Sequence, residues 1–375
     1  MTDPVLKLFL IAGEPSGDRL GAALMAGLRA LTDVEFHGVG GPMMQAAGLK
    51  SLFAMSELSI MGLVEVLPKY FHLKKRIAET AAAALALNPA AVISIDSPDF
   101  CLRVAAIVKQ ARPTLRTIHY VAPSVWAWRP HRAAKMARVI DHVMALLPFE
   151  PPYMTAAGMT CDFVGHPVVA EALATDAERA LMAGSSPLIL ALPGSRRGEV
   201  TRLAPVIGET LGIIAKTYPT LRVALPTVPH LTGLVRELTA AWPVVPQIIE
   251  DAATKRAAFA CASVALAASG TVSLELAAAH VPMVIAYRMH PVTFWLTNRA
   301  LLIDTVTLVN LVSQTRVVPE FIGGRCQANL IAPAVLALLT DRTAQDAAMT
   351  LTMDRLGAGG EAPGLRAARS VLAHL

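Results

Sequence analysis

The sequence predicts an α/β chain built from two doubly wound parallel sheets, and three observations carry that expectation. Apolar runs of strand length alternate with helical patterns from one end to the other, as parallel strands joined by crossover helices require. The runs are continuously apolar rather than alternating, which marks strands buried on both faces. The series is interrupted between His166 and Ser186, where Pro167 precedes a helical stretch and Gly184 to Pro187 form a turn. At 375 residues the chain is long for one core and comfortable for two.

Taken in order, Leu6 to Ala12 reads as the first strand, followed by a Gly-rich turn and a helix through Arg29. Ala91 to Ile95 and Leu115 to Val121 are further buried strands, each ending in a polar loop marked by proline. The second series runs through Leu188 to Leu192, Leu221 to Leu225, Val264 to Ala267 and Met283 to Tyr287. Gly357 to Gly364 form a Gly-rich link to one last helix. The expected domains are therefore residues 1–168 and 169–356, with 357–375 as link and helix. In doubly wound sheets, ligands sit beyond the C-terminal strand ends, here expected along a cleft between the domains.

Hydrophobic residues make up 54% of the chain and charged residues 16%, with a mean hydropathy of +0.51. A membrane span is still not expected. The longest uncharged stretch, Ala257 to Leu274, is broken by Ser269-Gly270-Thr271 and runs into Glu275, whereas a spanning helix needs about 20 mostly apolar residues. Asp3 and Pro4 precede the first apolar run without a basic region, so no secretory signal is expected. Cys101, Cys161, Cys261 and Cys326 form no Cys-x-x-Cys pair; neither a metal site nor disulfides are expected, and a reduced cytoplasm fits. The net charge of +5 favours an anionic partner: nucleic acid, a phosphorylated substrate or a membrane surface.

The chemistry-bearing residues stand in the loops after the strands. Pro193-Gly194-Ser195-Arg196-Arg197-Gly198-Glu199 follows one strand and opens a helix. Its glycine, free N–H groups and arginines suit a phosphate, though an ordinary turn with solvated arginines has the same composition. Ser269-Gly270-Thr271 repeats the arrangement, with Glu275 one turn inside the following helix. That carboxylate could accept the hydroxyls of a ribose or simply complement the helix dipole. Gly13-Glu14-Pro15-Ser16-Gly17-Asp18 matches neither G-x-G-x-x-G nor a Walker loop, and Asp18 reads as a helix cap. Asp96 and Asp99 stand at another strand end; either could be a general base, with Asp99 better placed as the cap and Asp96 facing the cleft. His119 to Arg129 holds Trp126 and Trp128, with Arg129, His131, Arg132, Lys135 and Arg138 beside or after them. Aromatics are only 5% of the chain, so a structural Trp pair is expected here rather than nucleic-acid stacking. Ile60 to Arg76 mixes apolar residues with Lys69, Tyr70, Phe71, Lys74, Lys75 and Arg76, which suits a membrane interface or a helix covering a sheet.

Taken as an ordered set, these loops resemble the lipid-A-disaccharide synthase family. The resembling segments are Gly13 to Asp18, Gly62 to Leu67, Ile95 to Phe100, Ile118 to Arg129, Leu147 to Glu150 and Phe163 to Pro167. In the second half they are Leu192 to Arg196, Ser269 to Thr271 with Glu275, Tyr287 to Met289, and Thr307 to Leu311. The resemblance implies a glycosyltransferase of the B-type fold, with two Rossmann-like domains and neither cofactor nor metal. The implied reaction is inverting: UDP-2,3-diacylglucosamine and 2,3-diacylglucosamine 1-phosphate give a β(1→6)-linked disaccharide and UDP. By position, Asp96 would be the base, and Gly194, Ser195, Arg196, Ser269, Gly270, Thr271, Glu275 and Asn310 would handle the donor. Glu14, Ser16, Asp18, Trp126, Trp128 and Arg129 would lie on the acceptor and lipid side. The implied setting is cytoplasmic, peripheral to the inner membrane, with no nucleic-acid partner. Two rival readings stand beside it: an epimerase of UDP-sugars on the same fold, and a membrane-bound nucleotide-sugar sensor without turnover.

Overall fold

Leu8, Leu10 and Ile11 of the first strand expose none of their surface, because helices cover both faces of the sheet they belong to. The computed structural model describes residues 5–58, 63–289, 299 and 301–375, with the side chains of helix Leu63–Leu87 described from Phe71 onward. The first sheet comprises β1 (Leu6–Ala12), β2 (Val34–Val39), β3 (Lys50–Ser51), β4 (Ala91–Ile95), β5 (Arg116–Tyr120), β6 (His142–Ala145) and β7 (Thr160–Phe163). The second comprises β8 (Leu188–Leu192), β9 (Arg222–Pro226), β10 (Gln247–Ile249), β11 (Val264–Ala267), β12 (Met283–Tyr287) and β13 (Glu320–Ile322).

The strand orders are β3-β2-β1-β4-β5-β6-β7 and β10-β9-β8-β11-β12-β13, and neighbouring strands pair in parallel. The winding direction therefore reverses between β1 and β4, and again between β8 and β11. Register makes those reversal points sharp. Ala12 pairs with Ile95 and Leu192 with Ala267, so the loops beginning at Gly13 and Asp96 leave their sheet level with each other. Those beginning at Pro193 and Ala268 do the same in the other sheet.

Helix Pro15–Leu31 opens on a proline, which forfeits no helical hydrogen bond at that position, and buries Leu20, Leu24 and Leu28 along one line. Helix Leu63–Leu87 buries Ile77, Ala81 and Ala84 against the opposite sheet face, together with Val92 and Val104. The chain forms two units, Met1–Ala170 with Gly359–Leu375, and Glu171–Ala358. The last helix, Pro363–Ala373, thus returns to the first unit and gives Ala367, Ala368 and Val371 to its core.

Two glycines set how closely that helix approaches. A Cβ on Gly27 would lie 2.5 Å from the carbonyl oxygen of Gly364, and one on Gly364 would lie 2.6 Å from that of Ala23. Farther along, Ser370 Oγ donates to Asp162 Oδ2 at 2.8 Å and bonds His142 Nε2 at 2.8 Å. The His374 ring stacks on His142 at 3.7 Å. Among the described residues, only His142, Asp162 and His374 bring three ligand-type atoms within 4.8 Å of one another. Both nitrogens of His142 are already bonded to hydroxyls, and the rings lie 14° from parallel, so their in-plane lone pairs run side by side instead of converging. The group is a clasp for the last helix, and burial pushes the His142 pKa down to about 4.

Candidate active site

In the second unit a cavity of about 530 Å³ opens at the reversal point, lined by both loops named from the sequence. Gly194, Ser195 and Arg196 form one wall; Ser269, Gly270, Thr271 and Glu275 form another. Gly194 has φ +111°, and a Cβ there would stand 2.6 Å from Glu199 Oε2; a side chain would be both strained and obstructed. That closeness lets Glu199 turn back on the loop. Its Oε2 accepts from the N–H groups of Ser195 at 3.2 Å and Arg196 at 3.3 Å, while Oε1 accepts from Arg196 Nη1 at 2.9 Å. The N–H groups that suit a phosphate are thus occupied by an internal carboxylate, and Arg196 is held by the same group with its side chain 66% exposed.

Glu275 lies in the first turn of helix Val272–Ala278 and is half-buried. Its Oε2 accepts from Lys255 Nζ at 2.7 Å. Lys255 and Phe259, on helix Ala252–Cys261, also line the cavity. Neither adjoins a motif in sequence, so neither was named above.

Asn310 does not line this cavity but a neighbouring one, with Thr305, Val318 and Glu320. The residue is 1% exposed; Nδ2 donates to Thr305 Oγ1 at 3.2 Å and to the Val318 carbonyl at 2.9 Å, and Oδ1 accepts from Val318 N–H at 3.0 Å. Glu320 completes the arrangement by accepting from Thr305 Oγ1 and from the N–H groups of Val306 and Thr307. Ser269 Oγ in turn donates to the Val306 carbonyl at 3.3 Å. Asn310 acts on the Ser269 loop through segment 305–307. Glu320, which shares that work, carries no sequence signal beyond a lone carboxylate at a strand start.

A larger cavity of about 680 Å³ lies elsewhere in the second unit, beside Glu209, Lys216 and Arg288. None of the expected site residues faces it.

In the first unit, Glu14, Asp96 and the Trp126 loop follow β1, β4 and β5, three adjacent strands. A Cβ on Gly13 would come 2.5 Å from Ser97 Oγ, so the Glu14 and Asp96 loops abut. Asp96 (φ +54°), Ser97 (φ +45°) and Val121 (φ +86°) all occupy left-handed backbone. For a β-branched residue such as Val121 this is a true outlier, and strain of this kind is enriched at functional sites. Asp96 is half-buried, its N–H donates to the Tyr120 carbonyl at 2.9 Å, and its Oδ1 accepts from Ser97 N–H at 2.9 Å. Ser97, not Asp99, is the N-cap residue of helix Pro98–Ala111; Asp99 is exposed in the first turn.

Glu14 is half-buried at the N-cap of helix Pro15–Leu31, and Ser16 is exposed in its first turn. Asp18 is not the cap of its own helix, whose N-cap residue is Glu14. It is 3% exposed and accepts from the N–H groups of Gly41, Met43 and Met44, each at 2.9 Å. It closes the start of the neighbouring helix Pro42–Ala46 with both of its oxygens engaged.

Trp126 and Trp128 are both half-buried. Trp126 Nε1 donates to Glu150 Oε1 at 3.1 Å, and its ring meets Phe149 edge-on at 5.1 Å. Arg129, exposed and at φ +51°, lays its guanidinium 4.2 Å from the Trp128 ring centroid. Glu150, quoted above only within its motif, is 4% exposed and also accepts from Leu147 N–H at 3.0 Å. Burial pushes its pKa up to about 7.

Of the membrane-interface stretch, Ile60 to Gly62 lie outside the described residues, as do the side chains of Leu63 to Tyr70 and with them the Gly62 to Leu67 motif. Phe71, Lys74 and Lys75 are exposed. Arg76 instead pairs with Glu57 at 2.8 Å and Glu79 at 2.7 Å and lies over Phe53, so it belongs to the fold. No helix among the described residues is long and apolar enough to cross a membrane.

A family model described as lipid-A-disaccharide synthetase matches residues 8–364. The lipid-A-disaccharide synthase of Ruegeria pomeroyi is 61% identical over 385 residues, covering 99% of this chain and 96% of that protein. That of Rhodospirillum centenum is 49% identical over 377 residues, covering 98% and 94%. Among solved structures, the UDP-GlcNAc 2-epimerase of Neisseria meningitidis bound to UDP-GlcNAc has a TM-score of 0.64 at 13% identity, covering 98% of each chain. The Methanocaldococcus jannaschii UDP-GlcNAc 2-epimerase in complex with UDP-GlcNAc and UDP has a TM-score of 0.62 at 14% identity, covering 98% of this chain and 99% of that one. At such identities the structural likeness speaks for the fold alone.

Proposed function

The chain belongs to the lipid-A-disaccharide synthetase family, glycosyltransferases of B-type fold, and from that premise we propose the reaction and the roles of its residues. The enzyme joins UDP-2,3-diacylglucosamine to 2,3-diacylglucosamine 1-phosphate, releasing UDP and forming a β(1→6) disaccharide 1-phosphate with inversion at the anomeric carbon. The observation that carries the assignment of roles is the cavity at the second unit's reversal point, where Arg196 and Glu275 stand on separate walls. An arginine beside a Gly-rich strand-end loop suits a diphosphate, and a carboxylate one helical turn away suits a ribose diol.

In this reading Asp96 takes the proton of the acceptor's attacking hydroxyl while that oxygen bonds to the anomeric carbon. The bond from that carbon to the diphosphate breaks with its electron pair going to UDP. Arg196 and the loop N–H groups neutralise the charge that develops there. Glu14, Ser16 and the Trp126–Arg129 loop, at the ends of strands adjacent to β4, are assigned to the acceptor. The enzyme works at the cytoplasmic surface of the inner membrane, where its lipid substrates reside. Exposed Lys74 and Lys75 beside Phe71, which is 81% exposed, support docking to an anionic lipid surface.

The deciding assay follows UDP release from purified protein given donor alone, acceptor alone, and both. Release with both substrates and a new disaccharide is the expected result. Conversion of the donor without acceptor would favour a UDP-sugar epimerase, and binding without turnover would favour a sensor.

A further inference from the structure

Helix Ala252–Cys261 brings into the nucleotide cavity a cation that no strand-end loop contains. Lys255 and Phe259, one turn apart, both line that cavity. Lys255 Nζ donates to Glu275 Oε2 at 2.7 Å and lies 5.2 Å from the centroid of the Phe259 ring. The start of the helix is fixed, because Asp251 Oδ1 accepts from Thr254 N–H at 2.8 Å. The side chains of Lys255 and Glu275 are 45% and 31% exposed. An ion pair so open contributes little to folding. Its placement inside a ligand cavity therefore calls for a reason other than stability.

The chemistry of the carboxylate supplies one. An ionised carboxylate has two oxygens and about four acceptor directions. Lys255 occupies one direction on Oε2, and Oε1 receives nothing from it. A vicinal diol presents two O–H donors a short distance apart and binds well only to acceptors held still. A lysine anchored against an aromatic face can fix the plane of the carboxylate without using both oxygens. We propose that Lys255 is a positioning residue that orients Glu275 for the 2′- and 3′-hydroxyls of the ribose, making the cavity selective for ribonucleotides over 2′-deoxyribonucleotides. This rests on the reading of Glu275 as the ribose ligand. It differs from direct contact between Lys255 and the diphosphate, and the two can be separated by varying the sugar and the phosphate independently.

The test is calorimetric binding of UDP, UMP and 2′-deoxy-UDP to the full-length enzyme and to Lys255→Met, Lys255→Arg and Glu275→Gln. Wild-type enzyme should prefer UDP to 2′-deoxy-UDP by about ten-fold, the scale of one well-made hydrogen bond to a charged group. Lys255→Met should lose most of that preference by weakening UDP and UMP equally, with 2′-deoxy-UDP, which keeps only the 3′-hydroxyl, weakened much less. Lys255→Arg should restore it. Equal weakening of UDP and 2′-deoxy-UDP in Lys255→Met, greater weakening of UDP than of UMP, or no change at all would overturn the proposal. Glu275→Gln separates the two levels of the argument. If it abolishes the sugar preference while Lys255→Met retains it, the lysine's role alone fails. If it keeps the preference, the ribose assignment fails and the lysine's role fails with it.

Discussion

Glu199 holds Arg196 by its guanidinium and its main-chain N–H at once, through different oxygens. In the proposed reading, the carboxylate fills the place the donor's diphosphate would take at the start of helix Arg197–Ile214. Diphosphate binding must displace it or accept its repulsion. Glu199→Gln, which removes the charge and keeps the shape, should tighten UDP binding several-fold and lower thermal stability by about 0.5–2 kcal/mol, the scale of a lost helix-capping interaction. Arg196→Ala should weaken UDP binding by about ten-fold or more. Calorimetry on both variants checks the pair, and opposite signs are the signature.

Asp96→Asn tests the base without disturbing the fold, because asparagine tolerates the left-handed backbone that Asp96 adopts. Turnover should fall by about 10²-fold or more with UDP affinity unchanged. Asp99→Asn, exposed in its helix's first turn, should turn over like wild type. A normal rate for Asp96→Asn would move the search for the base to Glu14.

Glu150 makes stability depend on pH in a calculable direction. Its pKa is about 7 in the fold against 4.5 as the ordinary value. Between those values the unfolded chain sheds its proton while the native protein keeps it, so stability declines as pH rises from about 4.5 to 7 and then levels off. The loss attributable to this group is on the order of 3 kcal/mol. Urea unfolding of wild type and Glu150→Gln across that range should show the difference, with the slope from this group missing in the variant. Emission from Trp126, whose indole donates to this carboxylate, should titrate over the upper part of the same range.

The crossing of Gly27 with Gly364 predicts a defect confined to one unit. Gly27→Val drives side-chain atoms into backbone, where no rotamer gives relief. It should destabilise the first unit by about 1–3 kcal/mol or more. UDP affinity, which the proposed reading assigns to the second unit, should be retained. Calorimetric unfolding with and without UDP reports both.

Lys74→Gln together with Lys75→Gln should reduce sedimentation with anionic vesicles, each lysine being worth about 1 kcal/mol near such a surface. Turnover on detergent-dispersed substrate should be spared. Wild-type binding should weaken as salt rises, since screening acts beyond about 10 Å at 0.1 M. Binding that ignores salt and lipid charge would remove the electrostatic docking idea.

The strands that were legible in the sequence are those buried on both faces: Leu6–Ala12, Ala91–Ile95, Leu188–Leu192, Val264–Ala267 and Met283–Tyr287 carry the expected bounds. The strand expected over Leu221 to Leu225 lies one residue later, at Arg222–Pro226. Those not foreseen are either short strands at sheet edges, as β3, β7, β10 and β13 are, or carry polar residues such as Glu35, His37 and His142 that interrupt an apolar run. The site divides in the same way. Loops at strand ends announce themselves by glycine, serine and arginine after an apolar run. Lys255, Glu150 and Glu320 act across tertiary contacts, and spacing along the chain carries no sign of them. Asn310 is singled out by resemblance alone and Asp18 also as a helix cap, but their side-chain partners are visible only in three dimensions.

The return of the last helix to the first sheet bears on how the protein is made. As the chain leaves the ribosome, residues 1–170 emerge first, yet Ala367, Ala368 and Val371 of their core are still unsynthesised. At ~5–20 residues per second that wait is on the order of ten seconds or longer. The contiguous Glu171–Ala358 unit can finish folding in the interval, which reverses the usual order of N-terminal domain first. Until the final segment arrives, the part of helix Pro15–Leu31 that meets it, around Ala23 and Gly27, stays uncovered.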